Sequence, residues 1–328
     1  MIAVTGANGL LGSFIVRKLI EERASFVAIK RAHSDTSLLS DVQEKIRWRD
    51  ADILDPLLLN EALDGCTHVS HSAAIVSFNP HKAKLVMEIN TLGTRNVVDA
   101  CIVKNIKRLI HISSVAALGR QKDQVSIDEE NKWINNPSTN VYDESKYFSE
   151  LEVFRGQEEG LSTLIINPSF ILAPADWNRS SARLFKYVWR KNSFYMDGFL
   201  NFVDVRDVSS VIYQLLDSNL QAQRFIVSAG NISYIELFKK IALVFNSKPP
   251  TLKIPKEIAF VIAKLENLRS WFTGSEPLIT RETALKGGSP FVYKNQKIRN
   301  ILNFEFQPID KTIAWCGDHY KKKMSSKK

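Results

Sequence analysis

The chain has 328 residues, 45% of them hydrophobic and 24% charged, with a formal net charge of +9. That balance suits a globular enzyme of one large domain or two fused lobes. Three cysteines, Cys66, Cys101 and Cys316, form no CxxC pair. The odd count excludes a disulfide framework and a zinc site, and it fits reduced thiols. Part of the basic excess lies in the last eight residues, Lys321 to Lys328, which read as a solvated tail. The remaining charges are dispersed along the chain, which argues against a nucleic-acid partner. The most apolar late stretch, Ile258–Ala263, falls far short of the ~20 residues that span a bilayer. Met1 runs at once into strand-like Ile2–Val4, so no signal peptide is expected and the reading is cytoplasmic.

Ile2–Val4 reads as a buried strand, after which Leu10, Leu11, Phe14, Ile15 and Leu19 recur at helical spacing up to Glu22. Phe26–Ile29 and Ile46–Ala51 read as strands, and Pro56 opens a short helix through Leu63. His68–Ala74 reads as a fourth strand, Lys82–Val103 as a long helix and Arg108–Ser113 as a fifth strand. A helix over Asn140–Glu159 and a sixth strand over Ser162–Leu172 complete the series. Strands alternating with helices predict right-handed crossovers, hence an α/β, Rossmann-type, doubly wound parallel sheet. The regularity fades after Pro174. Helices are expected near 180–192, 233–246, 255–272 and 307–322, with loops at Pro249-Pro250, Gly287-Gly288 and Pro290. Phe225–Ser228 reads as a strand returning to the sheet. The expected organisation is a dinucleotide lobe over 1–168 with a return segment at 203–228. A smaller, discontinuous, mostly helical substrate lobe covers 169–202 and 229–320, and 321–328 is the basic tail.

Thr5-Gly6-Ala7-Asn8-Gly9-Leu10-Leu11-Gly12 joins the first strand to the first helix. Gly6 can make the tight turn, Gly9 lets the backbone approach a pyrophosphate, and Gly12 lets helix and sheet pack closely. Backbone N–H groups and the helix dipole then hold the anion.

Tyr142-Asp143-Glu144-Ser145-Lys146 places Tyr142 and Lys146 at i, i+4 on one helix face. Hydride transfer at a carbonyl needs a proton moved at oxygen. An ammonium beside a tyrosine favours the phenolate and lowers its pKa. No G-x-S-x-G elbow is present, and the six histidines show no metal or Ser/Asp framework. His111, inside the fifth strand, is expected to pack rather than react.

The G-x-x-G-x-x-G spacing resembles the extended short-chain dehydrogenase/reductase family, within the NAD-dependent epimerase/dehydratase superfamily. Further matches follow in order: Asp52-Ile53, His71-Ser72-Ala73-Ala74, the N-x-x-G-T-x-N helix from Asn90 to Asn96, and V-D-V-R-D-V from Val203 to Val208. The resemblance covers residues 1–230 well and the rest loosely. It implies cofactor contacts at Thr5, Gly6, Asn8, Gly9, Leu10, Leu11 and Gly12, then at Asp52, Ile53, Ser72, Ala73, Ala74, Asn90 and Pro168. Tyr142 and Lys146 are to serve both cofactor and catalysis. The active serine stands five residues before a glycine in that pattern, which selects Ser114 through Gly119; Ser113 is the alternative. V-D-V-R-D-V is expected to order the sheet edge and the lobe interface rather than perform chemistry.

The second strand ends in Ile29-Lys30-Arg31-Ala32-His33, without the carboxylate that grips a ribose 2′-OH in NAD sites. Lys30 and Arg31 suit the 2′-phosphate of NADP, and Arg31 resembles the phosphate-binding position of dihydroflavonol-4-reductase-like members. NAD is the alternative cofactor. Asn167-Pro168-Ser169 resembles the same branch. In the R-x-x-N-x-x-G-P wording of sugar-nucleotide epimerases, aligned on Pro174, Asn167 replaces the Arg, Phe170 the Asn and Ala173 the Gly. The leading expectation is an NADP(H)-dependent oxidoreductase interconverting a ketone or aldehyde and an alcohol, with a small-molecule substrate and no membrane span. A nucleotide-sugar epimerase or dehydratase with tightly held NAD, and a non-catalytic NADP(H) sensor, are the alternatives. Arg179 and Arg183 are candidates for an anionic substrate group. Phe170, Trp177, Phe199 and Phe202 are candidates for an apolar wall. A homodimer is compatible with all of these readings.

Overall fold

Apolar runs of four to six residues form a parallel sheet because both of their faces are covered by helices. A computed structural model describes residues 1–119, 121, 124–134, 139–177, 181–255, 257–258, 261–262, 264–266, 269 and 291–325. The first elements are β1 (Ile2–Thr5), α1 (Leu10–Glu21), β2 (Phe26–Lys30), β3 (Trp48–Asp50), α2 (Pro56–Ala62) and β4 (His68–His71). Next come α3 (Ala83–Met87), α4 (Gly93–Val103), β5 (Arg108–Ile112), β6 (Ser126–Ile127), α5 (Val141–Glu158) and β7 (Thr163–Pro168). They are followed by β8 (Phe170–Leu172), α6 (Ala182–Trp189), β9 (Phe194–Met196), β10 (Phe199–Asp204), α7 (Val205–Leu216) and β11 (Gln223–Val227). The last are β12 (Gly230–Ser233), α8 (Tyr234–Val244), β13 (Leu252–Ile254), β14 (Val292–Tyr293), α9 (Gln296–Leu302) and α10 (Ile309–Ser325).

The large sheet runs β11-β7-β5-β4-β1-β2-β3, with every pairing parallel. Strand order reverses between β1 and β4, and such a switch point opens a crevice at the carboxyl ends of the strands. Successive residues of β7 serve opposite faces. Leu164 and Ile166 join Ile15, Leu19, Val208 and Val211 of α1 and α7. Ile165 joins Val97, Val98 and Val153 of α4 and α5. A separate core holds Phe185, Leu237, Ile241, Ile313 and Tyr320 around the small β12-β10-β8 sheet.

Three expectations change. The sixth strand, expected over Ser162–Leu172, is two strands in two sheets. The β11 register ends at Val227–Pro168, with Ser169 N–H still bonding the Val227 carbonyl at 3.0 Å, and Phe170–Leu172 pairs with β10 instead. The long helix over Lys82–Val103 is interrupted by a π-helical turn at Glu88–Leu92. Helix α7 was not anticipated. Eight of its residues are buried, and Val208, Val211, Ile212, Leu215 and Leu216 among them share a core with α1. Most of the helix expected near 255–272, and the Gly287-Gly288 and Pro290 loop, lie outside the described residues. Among the described residues, no helix is long and apolar enough to cross a membrane.

Candidate active site

The phosphate loop is shaped by contacts that only glycine permits. Gly6 has φ +65°, and a Cβ there would come within 2.6 Å of the Ala73 Cα. A Cβ on Gly12 would meet the Gly6 carbonyl oxygen at 2.1 Å. A Cβ on Gly9 would meet only that same oxygen, at 3.1 Å, so the side facing away from the sheet is an open cradle. Helix α1 starts at Leu10 with no side-chain cap and no acid in its first turn. Its N–H groups and dipole are thus presented to an anion. A dinucleotide pyrophosphate fits this donor set, and Gly9, Leu10 and Leu11 would hold it. Asn8 extends the wall by donating from Nδ2 to the Asp35 carbonyl at 3.0 Å.

The Asn90–Asn96 motif is a clasp behind that loop. Thr94 Oγ1 donates to the Asn90 carbonyl (2.6 Å) and pairs with His71 Nε2 (3.1 Å), while His71 Nδ1 pairs with Thr5 Oγ1 (2.7 Å). Because Thr94 spends its proton on Asn90, it accepts from His71 Nε2–H. His71 Nδ1 then accepts from Thr5, whose oxygen accepts from the Ala73 N–H at 3.4 Å. Every member donates once and accepts once. Burial depresses the imidazole pKa to about 3, with the Lys146 charge adding to the effect, so the neutral tautomer is locked. Asn90 Oδ1 accepts from Ile75 N–H, and its Nδ2 donates to the Ile75 carbonyl and to Ser145 Oγ of α5. Gly93 leaves room for Ile53, whose side chain a Cβ would meet at 2.5 Å, and Asn96 donates to the Ile53 carbonyl. Ser72 Oγ donates to the Thr5 carbonyl at 2.7 Å. The side chains of Thr5, Ser72 and Asn90 therefore hold the walls of the site, while Ala74 is exposed beside them.

The far end of the crevice is a cleft of about 480 Å³ lined by Arg31, His33, Ser34, Asp50, Asp52 and Leu58. Lys30 differs from expectation. Its ammonium sits 2.5 Å from Asp50 Oδ1, so it neutralises a carboxylate in the cleft instead of reaching outward. Arg31 is exposed at the rim. Asp52 Oδ1 accepts from Leu54 N–H, which fixes the turn after β3.

The catalytic candidates meet at the carboxyl ends of β5 and β7. Helix α5 begins with a reciprocal cap between Asn140 and Asp143, which sets Tyr142 and Lys146 in its first two turns. The Ser114 hydroxyl lies beside the Tyr142 hydroxyl and draws its pKa down, and the Ser114 oxygen accepts from Ala116 N–H at 3.2 Å. Ser113 is buried, and its Oγ has no hydrogen-bond partner. Of the two serines, Ser114 is the one that meets the tyrosine. Lys146 is 3% exposed and donates from Nζ to the Ile112 carbonyl at 2.8 Å. Burial pulls its pKa down to about 8, against the pull of Glu150. Burial pushes Tyr142 up to about 12, with only the Ser114 hydroxyl drawing it back. The expected lowering of Tyr142 by Lys146 is absent from this arrangement, because desolvation dominates and the ammonium is bound to β5. Phe78 presents an exposed ring edge to Tyr142 at 5.8 Å.

Residues behind this set escaped sequence reasoning. Asn167 Nδ2 bridges the Ser114 carbonyl (2.8 Å) and Glu150 Oε1 (2.6 Å), and Glu150 Oε2 pairs with Arg224 at 3.2 Å. These partners lie 17 to 74 positions apart in the chain, beyond any local pattern. His111 is buried with Nε2 against Ser149 Oγ, a packed residue as expected. V-D-V-R-D-V is a lobe staple: Asp204 accepts from Arg206 and from Thr312 of α10, and Asp207 accepts from Gln307 N–H. Trp177 stacks on Tyr320 at 4.4 Å in the core around the β12-β10-β8 sheet, and Phe202 is also buried. Phe170 and Phe199 remain half-buried, as does Arg183, while Arg179 lies outside the described residues.

A parallel sheet with a glycine cradle at its switch point and a Ser–Tyr–Lys set beside it defines a dinucleotide-binding protein of the Rossmann type. The chain matches the NAD dependent epimerase/dehydratase family over residues 2–228, and it belongs to that family. It is 26% identical to the "Putative dihydroflavonol 4-reductase" of Synechocystis sp., over 96% of this chain and 94% of the relative. It is 24% identical to cinnamoyl-CoA reductase 1 of Petunia hybrida, over 95% and 90% of the two chains. The crystal structure of gox2253 superposes with a TM-score of 0.84 at 27% identity, covering 98% of each chain.

Proposed function

We propose that this protein is an NADP(H)-dependent oxidoreductase that interconverts a ketone or aldehyde and an alcohol. The observation that carries the proposal is the Tyr142 hydroxyl, set beside Ser114 on the helix that carries Lys146 and held protonated by burial up to about pH 12. A phenol that keeps its proton near neutrality is poised to donate it to an oxygen that is gaining negative charge. In the reverse direction the same oxygen takes the proton back from the alcohol, so the set serves both directions. Ser114 orients the substrate oxygen and relays to Tyr142. Lys146 places a positive charge behind the pair and offers its amine to the nicotinamide ribose. The dinucleotide, when bound, supplies the hydride to the carbonyl carbon. Arg31 at the rim of the adenine-side cleft, with Asp50 neutralised by Lys30, favours a 2′-phosphate. The reductase names of the relatives support the same reading. The test is NADPH oxidation followed by absorbance against a panel of ketones and aldehydes, with NADH in parallel. Turnover with NADPH is expected. Purification with firmly retained NAD and no carbonyl turnover would favour the epimerase reading instead.

A further inference from the structure

Glu150 lies one helical turn beyond Lys146 and is 1% exposed. A buried carboxylate costs several kcal/mol unless its oxygens are paired. Here each oxygen has one partner. Oε1 accepts from Asn167 Nδ2 at 2.6 Å, and Oε2 faces Arg224 Nη1 at 3.2 Å. Arg224 stands on β11, next to β7, and its other nitrogen donates to the Glu129 and Asn131 carbonyls. The Asn167 amide donates a second time, to the carbonyl of Ser114 at 2.8 Å. One carboxylate thus reaches the backbone of Ser114 through a single amide and lies on the helix that carries Lys146.

We propose that Glu150 is a positioning residue for two members of the catalytic set: through Asn167 it fixes the strand end that bears Ser114, and by its charge it keeps Lys146 an ammonium. The assignment rests on the oxidoreductase reading above for the role of Ser114. The groups facing Lys146 support the charge half. From β4 and β5 come His71 and His111, both held neutral by burial, and from α5 comes Glu150. Glu150 is the carboxylate that opposes the desolvation of Lys146, and Arg224 is its counter-charge from behind.

Two variants separate the halves. Lys146 is read directly in the cofactor-free protein by NMR titration of isotope-labelled lysine Nζ, assigned with Lys146→Arg. Glu150→Gln keeps the reach to Asn167 and removes the charge; the Lys146 midpoint should fall by about 1 unit or more. Asn167→Leu keeps volume and breaks the bridge; kcat for NADPH-dependent reduction should fall about tenfold or more, with the Lys146 midpoint and the NADPH KM unchanged. If Glu150→Gln does not fold, Glu150→Asp replaces it; charge kept and reach lost should lower kcat while the midpoint stays. An unmoved Lys146 midpoint in folded Glu150→Gln, or wild-type kcat in Asn167→Leu, overturns the proposal. The NMR arm needs no substrate, so failure of the oxidoreductase reading would show as an inactive wild type with the Lys146 shift intact.

Discussion

A buried chain behind the phosphate loop and the strand ends beside Tyr142 differ in how their polar side chains are paired. Around β1, β4 and α4, the Thr5–His71–Thr94–Asn90 chain is closed, with each donor meeting one acceptor. At the carboxyl ends of β5, β7 and β11, Ser113 Oγ, Asn167 Oδ1, Ser169 Oγ and Ser228 Oγ are buried and unpaired. Buried polar atoms are costly to leave unmade. The closed chain fixes the wall behind the phosphate loop. The contrast separates the wall of the site from its working end.

The largest expected effect lies at the working end. Tyr142→Phe removes one hydroxyl and keeps the ring, so turnover should fall by about 10²–10⁴ while NADPH affinity measured by fluorescence titration stays the same. Near-normal turnover would take Tyr142 out of the mechanism and leave the non-catalytic sensor standing.

Next is Arg31→Ala at the cleft. Charge-assisted bonds contribute roughly 1.5–3 kcal/mol, so NADP(H) affinity should drop about tenfold to a hundredfold, with NAD(H) affinity nearly constant. An equal loss for both cofactors would place Arg31 away from the 2′-phosphate.

The closed chain predicts an acid-side loss of stability. His71 in the fold titrates at about 3, against an ordinary value of 6.5. Below pH 6.5 the unfolded chain takes up a proton that the folded one refuses. The contribution of His71 is therefore complete above about 6.5 and is lost as pH falls toward 3, by up to about 1.4 kcal/mol per pH unit. His111 adds in the same direction. Asp207, raised by burial to about 7, opposes them: it holds a proton in the fold that the unfolded chain releases above the ordinary carboxyl value. Urea unfolding between pH 5 and 7 should show stability rising with pH, and His71→Gln should flatten that rise. A slope unchanged by the substitution would mean that the chain tolerates a charged imidazole.

The smallest effect belongs to the lobe staple. Arg206 lies 3.9 Å over the Trp315 ring while bonding Asp204. Arg206→Met keeps the packing stem and should cost about 0.5–2 kcal/mol of thermal stability with kcat unchanged. A loss of activity would show that the lobe interface governs the site.

Much of this was legible in the residues. Gly6, Gly9 and Gly12 announce a turn, a cradle and a close approach, and the clash distances at Gly6 and Gly12 bear out the turn and the approach. The i, i+4 spacing of Tyr142 and Lys146 places them on one helix. The Asn90–Asn96 motif was visible as a pattern, but its meaning was not, because its partners Ile53, His71, Ile75 and Ser145 come from four other segments. Helix α7 went unread although Val208, Val211, Ile212, Leu215 and Leu216 recur at helical spacing after the Asp204 cap.

The sequence by itself determined the order of strands and helices of the first half, the glycine loop and the placement of Tyr142 and Lys146 on one helix. Periodicity, glycine geometry and helical spacing act over a few residues, so they can be read locally. Only the tertiary structure decided that Ser114 rather than Ser113 meets Tyr142, that Lys30 is spent on Asp50, and that Tyr142 is raised rather than lowered. Those outcomes depend on desolvation and on pairing between distant segments. A residue's charge state follows from how much water the whole fold removes, and no neighbouring residue in the chain carries that information.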